Sequence, residues 1–317
     1  MAGRAKQGSL RFMKLAKGFQ PPGDIVKHPP SPGNYACGGM SSGTSGYPAV
    51  MLAGNNLIPI HDENPAHRTP FLVVGLIIVN VLAFFLLEPG FGTPQSCARG
   101  DLECQRANCE LTQFFFRWGV VPAEVTGGEQ VRGEICPGIT TEPKSVPLSL
   151  LTSMFLHGGF FHLAGNMLFL WVFGNNIEDR LGHLRFLLFY LLAGFAGSLA
   201  HVFANADSLI PTIGASGAIS GLLGAYILLF PKAMIHALVP MLFFFRVRLP
   251  AATVLGIWFV SQFFIGGGQQ LGEGGVAWVA HVGGFVAGMV LILVLGGSRQ
   301  RPASSPPPSR RDPFGRF

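Results

Sequence analysis

The sequence predicts an all-α, polytopic membrane protein: a bundle of six transmembrane helices with a long first extracytoplasmic loop. Three observations carry that reading. Only 12% of the 317 residues are charged, about half the share typical of soluble domains, and mean hydropathy is +0.43. The apolar residues gather into blocks close to the roughly 20 residues that cross a bilayer core. The Lys and Arg residues lie between and beyond these blocks, in a pattern that sets orientation.

Residues 1–60 are rich in Gly, Pro and Ser, and no apolar run follows their basic start. They read as a disordered cytoplasmic segment rather than a secretory signal, with Met40 and Met51 as alternative starts. A helical domain is expected over 61–296. Its first span is Pro70–Leu87, followed by a loop over 88–150. The remaining spans are about Leu156–Phe173, ending before Asn175, then Leu184–Asn205, Ser216–Pro231, Leu249–Ile265 and Val276–Gly296. The apolar run Met234–Phe245 is too short to cross and reads as interfacial or re-entrant. Residues 297–317 form a Pro/Ser/Arg tail that cannot bury enough apolar surface to fold.

Charge placement supports six spans. The short loops 204–215 and 266–275 contain no Lys or Arg, whereas Arg180, Arg185, Lys232, Arg246 and Arg248 all fall in the opposite connections. That is the positive-inside pattern, with both termini cytoplasmic in a cell membrane. A seventh span would destroy it. The net charge of +6 is thereby accounted for as flanking charge, and nucleic-acid binding is not indicated.

Cys97, Cys104, Cys109 and Cys136 all fall in the long outer loop. An even number in an oxidising compartment points to two disulfides, with three pairings open. No CxxC spacing or nearby His favours zinc. Cys37 stands alone in the N-terminal segment.

Ionisable and strongly polar groups inside spans are costly, so each is a functional candidate. Span two carries His162 and Asn166, span four Ser216 and Ser220, and span six His281. At 1.5 Å per residue, Ser216, His281 and His162 lie about 21, 22 and 18 Å above the cytoplasmic helix ends. The three converge on one level beneath the outer surface. A serine needs a neighbouring base to take its proton, and His281 is the imidazole at the matching depth. His162 and Asn166, one turn apart on one helix face, and the Ser216 backbone N–H at a helix start could donate to an oxyanion. The deep polar set contains no carboxylate, so the expected machinery is a Ser–His dyad.

His157, Gly214 and Gly217 flank these groups as possible assisting residues, a structural role being the simpler reading for His157. His201 reads as structural, and Ser220 as bonded to its own helix. Gly217, Gly221 and Gly224 face a matching stripe at Gly284 and Gly288, a pattern that lets helices approach closely. No HExxH and no pair of aspartates within the spans appears, which removes the zinc and aspartyl routes to intramembrane proteolysis.

With these residues in view, the chain resembles the rhomboids, a family of intramembrane serine proteases. The resemblance rests on HGGFFHLAGN in span two, GASG opening span four and AHVGG in span six. The stretches Asn56–Pro65 and Val121–Thr126 are also similar to bacterial members. The resemblance implies a rhomboid bundle with Ser216 as nucleophile, His281 as base and oxyanion contacts from His162 and Asn166. It further implies transmembrane protein substrates in the lipid bilayer, cut near the outer face, and no cofactor or metal. Two features depart from relatives: Ser220 stands where many have an aromatic residue, and the first loop reads Arg117-Trp118 where some carry Trp-Arg.

Two rivals remain at this level. A catalytically inactive relative that binds membrane clients would be expected to lack the serine or the histidine, and both are present. A six-span transporter would call for broken helices, paired halves or charged pathway residues, which the sequence does not display. Oligomeric state is not legible.

Overall fold

The computed structural model describes residues 57–92, 95–98, 101–128, 130–239, 245–267 and 277–296. The expectations for residues 1–56 and 297–317, for Cys37 and for the loop 268–276 lie outside the described residues. In chain order the elements are β1 (Ile58–Asp62), α1 (Phe71–Leu86), α2 (Leu102–Trp118), α3 (Pro122–Gly127), β2 (Glu134–Cys136), β3 (Ile139–Thr140) and α4 (Val146–Thr152). Then follow α5 (Phe160–Leu181), α6 (His183–Ala204), α7 (Ser216–Leu229), β4 (Met234–Val239), β5 (Phe245–Pro250), α8 (Ala251–Gly267) and α9 (Trp278–Leu295).

The molecule is mostly helical, and α1, α5, α6, α7, α8 and α9 form an apolar bundle. Its core joins Phe173, Phe186, Phe189, Tyr190, Leu222 and Tyr226. Outward faces are also apolar: Ile78, Leu82, Val260, Val290 and Leu293 are exposed. A bundle that is apolar both inside and outside is built for lipid. By length and apolarity alone α6 and α9 qualify as spans, and α5 does so when joined to the bent stretch Val146–Phe155 before it, across an 82° break. The helices of α1, α7 and α8 are apolar but shorter.

Three differences from the sequence-based expectations have clear causes. First, the fold is not purely α. Met234–Phe245 contributes β4, which pairs with β5 and with β1 in an antiparallel sheet of order β1-β4-β5. Alternating side chains let one sheet face meet the bundle, so a short apolar run need not be interfacial. Second, β1 begins at Ile58, inside the segment expected to be disordered.

Third, α5 starts at Phe160 and continues past Asn175 to Leu181. Its polar end is spent on buried partners. Glu178 accepts the backbone N–H groups of Leu72 (3.0 Å) and Val73 (2.9 Å), capping the start of α1. Asn176 donates to Asp62 at 2.6 Å, and Tyr226 donates to the same carboxylate at 2.7 Å. Burial holds the Asp62 carboxyl above its usual range.

Close helix packing follows the glycine stripes. A Cβ at Gly284 would run into the Gly217 carbonyl, and one at Gly288 into that of Gly221. Backbones this near each other admit only hydrogen at those positions. This contact sets the distance between the helices that carry Ser216 and His281.

The loop between α1 and α5 is a small subdomain in its own right. Cys97 is bonded to Cys104 and Cys109 to Cys136, resolving the open pairing. Asp101 caps α2 by accepting the Cys104 N–H at 3.0 Å. Lys144 forms a buried ion pair with Glu124, both side chains being 4% exposed. Its ammonium also donates to the carbonyls of Phe116 (2.6 Å) and Gly119 (3.0 Å) at the end of α2. Burial nevertheless pushes that ammonium below the ordinary lysine range.

Candidate active site

Ser216, His281 and His162 open three different helices. Ser216 is the first residue of α7, His281 the fourth of α9 and His162 the third of α5. The packed Gly217–Gly284 contact brings α7 and α9 together at this level, and Ser216 Oγ lies 2.8 Å from His281 Nε2. Both residues are half-buried. That is hydrogen-bond distance for a nucleophile and its base.

The segment before Ser216 is held from two sides. Gly214 N–H donates to the Ser153 carbonyl at 2.8 Å, and Thr212 and Val120 exchange backbone hydrogen bonds at 2.7 and 3.1 Å. Gly214 adopts φ +127°, a left-handed value open to glycine. A Cβ there would stand 3.1 Å from His162 Nε2 and 3.5 Å from Ser216 Oγ. The missing side chain therefore leaves a small space lined by one ring nitrogen and the hydroxyl.

His162 Nδ1 accepts the Gly158 backbone N–H at 3.2 Å. A neutral imidazole with Nδ1 as acceptor carries its proton on Nε2, so the nitrogen facing Gly214 is a donor. The Ser216 N–H, in the first turn of α7, has no partner within its helix. Asn166 is buried and donates one N–H to the His162 carbonyl at 3.0 Å. Its second hydrogen is left for another acceptor.

The other sequence candidates fall into supporting places. His157 is fully buried, with its ring centroid 5.1 Å from that of His162 in an edge-on arrangement. Gly217 packs against α9. Ser220 Oγ donates to the Ser216 carbonyl at 2.6 Å, within its own helix. His201 meets Asn205 one turn later. Arg117 lies over the Trp118 ring at 5.2 Å and pairs with Glu142. Among the described residues no group of His, Cys, Asp and Glu is arranged to hold a metal.

One member of the cluster escaped sequence reasoning. Gln262, on α8, is 2% exposed and its Oε1 lies 2.7 Å from His281 Nδ1. The signal was available, since Gln262 is an amide amid the apolar residues of span five.

The stretch that holds this arrangement is similar to known proteins. Residues 145–298 match the family model described as the Rhomboid domain. The chain is 35% identical over 147 residues to "Rhomboid protein 1, mitochondrial" of Saccharomyces cerevisiae, covering 45% of this chain and 40% of that protein. It is 32% identical over 146 residues to "RHOMBOID-like protein 5" of Arabidopsis thaliana, covering 46% and 43%. A shorter match, 51% identical over 76 residues, joins 24% of the chain to 14% of "Rhomboid protease GluP" of Bacillus subtilis. The chain thus spans about two fifths of the length of the first two relatives. The matched region contains α5 through α9 and every residue of the Ser216 cluster, and the chain belongs to the rhomboid family.

Proposed function

We propose that this chain is an intramembrane serine endopeptidase that cuts transmembrane proteins near the extracytoplasmic face of a cell membrane. The observation that carries the reading is the 2.8 Å approach of Ser216 Oγ to His281 Nε2, beside a donor-lined space at Gly214. The proposed protein has six spans, α1, α5, α6, α7, α8 and α9, with both termini cytoplasmic. The two disulfides support an outer position for the loop that holds them.

In the proposed reaction Ser216 Oγ attacks the scissile carbonyl carbon while its proton passes to His281 Nε2. The carbonyl oxygen becomes an oxyanion that accepts hydrogen bonds from His162 Nε2–H, the Ser216 N–H and the Asn166 amide. Collapse of this intermediate breaks the C–N bond, and His281 returns the proton to the leaving amine. Water, deprotonated by the same imidazole, then hydrolyses the acyl-enzyme and restores Ser216. No metal or cofactor enters. A transmembrane helix offers no free carbonyl where its own ladder is intact, so the substrate bond must lie where that helix frays.

Cleavage of a model single-span substrate in liposomes tests the reading. Ser216→Ala and His281→Ala should each abolish product, with unfolding temperatures close to that of the parent. Product from Ser216→Ala at the parent rate would remove the mechanism and favour the client-binding alternative.

A further inference from the structure

We infer that Gln262 is the positioning residue that sets the tautomer of His281, so that an amide on α8 holds the base where many serine hydrolases use a carboxylate. The inference rests on the protease reading for its consequence, though not for its geometry. His281 is bracketed: Nε2 stands 2.8 Å from Ser216 Oγ, and Nδ1 stands 2.7 Å from Gln262 Oε1. A neutral imidazole has one donor and one acceptor nitrogen, so whatever faces Nδ1 decides what Nε2 can do.

An amide could present either end to the ring. Here its far end decides. Gln262 Nε2 lies 3.1 Å from the Trp258 carbonyl oxygen, one turn earlier, and 3.3 Å from Ser261 Oγ. An amide oxygen in that place would meet the carbonyl lone pair to lone pair. The NH2 is therefore turned to its own helix and the oxygen to the imidazole. That oxygen accepts from Nδ1–H and leaves the Nε2 lone pair for the Ser216 hydroxyl. The reversed amide would put the proton on Nε2 and disable the base.

Two further observations assign this task to α8. Ser220, one turn after Ser216, donates its hydroxyl proton to the Ser216 carbonyl, and the hydrogen bonds of the His281 ring go to Ser216 and Gln262. The Trp258 ring, whose backbone anchors the Gln262 amide, also lies 6.0 Å from the His281 ring, centroid to centroid. Gln suits the location chemically. A carboxylate on a membrane helix carries a desolvation cost that an amide avoids, while the acceptor is retained.

Nitrogen-15 NMR of protein labelled at histidine, in nanodiscs at pH 8, reads the tautomer directly, His281 being assigned by loss of its signals in His281→Ala. A proton on Nδ1 that redistributes in Gln262→Leu is expected. A proton on Nε2 of the parent overturns the inference, whether or not any substrate is cut. In the cleavage assay Gln262→Leu should lower kcat about 100-fold, the low end of what a positioned base contributes, with KM within about twofold. Gln262→Glu keeps the acceptor and should remain within about tenfold of the parent. Equal losses in the two variants, or none in Gln262→Leu, would reduce Gln262 to a packing residue. Absence of cleavage by the parent protein would sink the protease reading and leave the NMR result to decide this one.

Discussion

The backbone N–H of His157 donates to Glu88 Oε1 at 2.9 Å, joining the end of α1 to the turn that enters α5 across 69 residues of sequence. Glu88 is buried, and Gly92 closes over it: a Cβ there would collide with the His157 carbonyl and the other Glu88 oxygen. The carboxyl thus holds the Gly158 region whose N–H sets the His162 tautomer. Burial pushes Glu88 up to about 7 from its ordinary 4.5.

A pH dependence follows. The folded protein binds the Glu88 proton more tightly than the unfolded chain does, so folding takes up protons between about 4.5 and 7. This group's contribution to stability should fall as pH rises through that window and stay level above it. The total change is no more than about 3 kcal/mol. Measured in one detergent from pH 4.5 to 8, the unfolding temperature of the parent should fall relative to that of Glu88→Gln as pH rises to about 7, with a constant offset above. Parallel curves would remove the assignment.

Oxyanion support should be unequal between the two donors on α5. His162 has Nδ1 occupied by Gly158 and Nε2 turned to the Gly214 space, whereas Asn166 already spends one hydrogen on the His162 carbonyl. His162→Ala should cost roughly 10²–10³-fold in kcat, and Asn166→Ala less. The kcat ratio of the two variants is the check.

The helix contact that brings Ser216 to His281 should tolerate no added carbon. Gly288→Ala would force a methyl onto the Gly221 carbonyl, a backbone atom that cannot rotate away. Overpacking of this kind costs about 1–3 kcal/mol, and the shift would part Ser216 from His281. Lower unfolding temperature and lower kcat should appear together. Gly256→Ala, with open space around its Cβ position, is the control and should match the parent in both.

Much of this was legible in the sequence. Ser216, His281 and His162 could be brought to one level because helix rise is constant and the spans were bounded by charge. The Gly284 and Gly288 stripe read correctly because small residues at that spacing have few other uses in apolar helices. What the sequence hid were contacts made by polar groups at helix ends. Glu178 lies beyond the expected end of span two, where nothing local marks a carboxylate for burial, yet it is fully buried as the cap of α1. Met234–Phe245 looked interfacial because only one of its two partner strands, Phe245–Pro250, is near in sequence, while the other, Ile58–Asp62, lies 170-odd residues away in a segment of turn-like composition. Pairing across such a distance leaves no local periodicity.

The loop between α1 and α5 supplies the last prediction. Its subdomain touches the segment before Ser216 at several points: Val120 pairs with Thr212, Ala123 N–H donates to the Ser208 carbonyl at 3.0 Å, and Thr126 Oγ1 to the Ala206 carbonyl at 2.7 Å. The loop that feeds Gly214 and Ser216 therefore leans on α2 and α3. Lys144 and Glu124 hold that support together from inside. Removing one partner of a buried pair leaves the other charge without compensation, at a cost of about 3–5 kcal/mol. Lys144→Met should lower the unfolding temperature and, on the proposed function, slow cleavage, although it lies away from Ser216 and His281. A second change, Glu124→Gln, removes the stranded charge and should recover part of the stability. Thermal unfolding of the two single variants and the double completes the cycle, and additive losses would show that the pair does not couple.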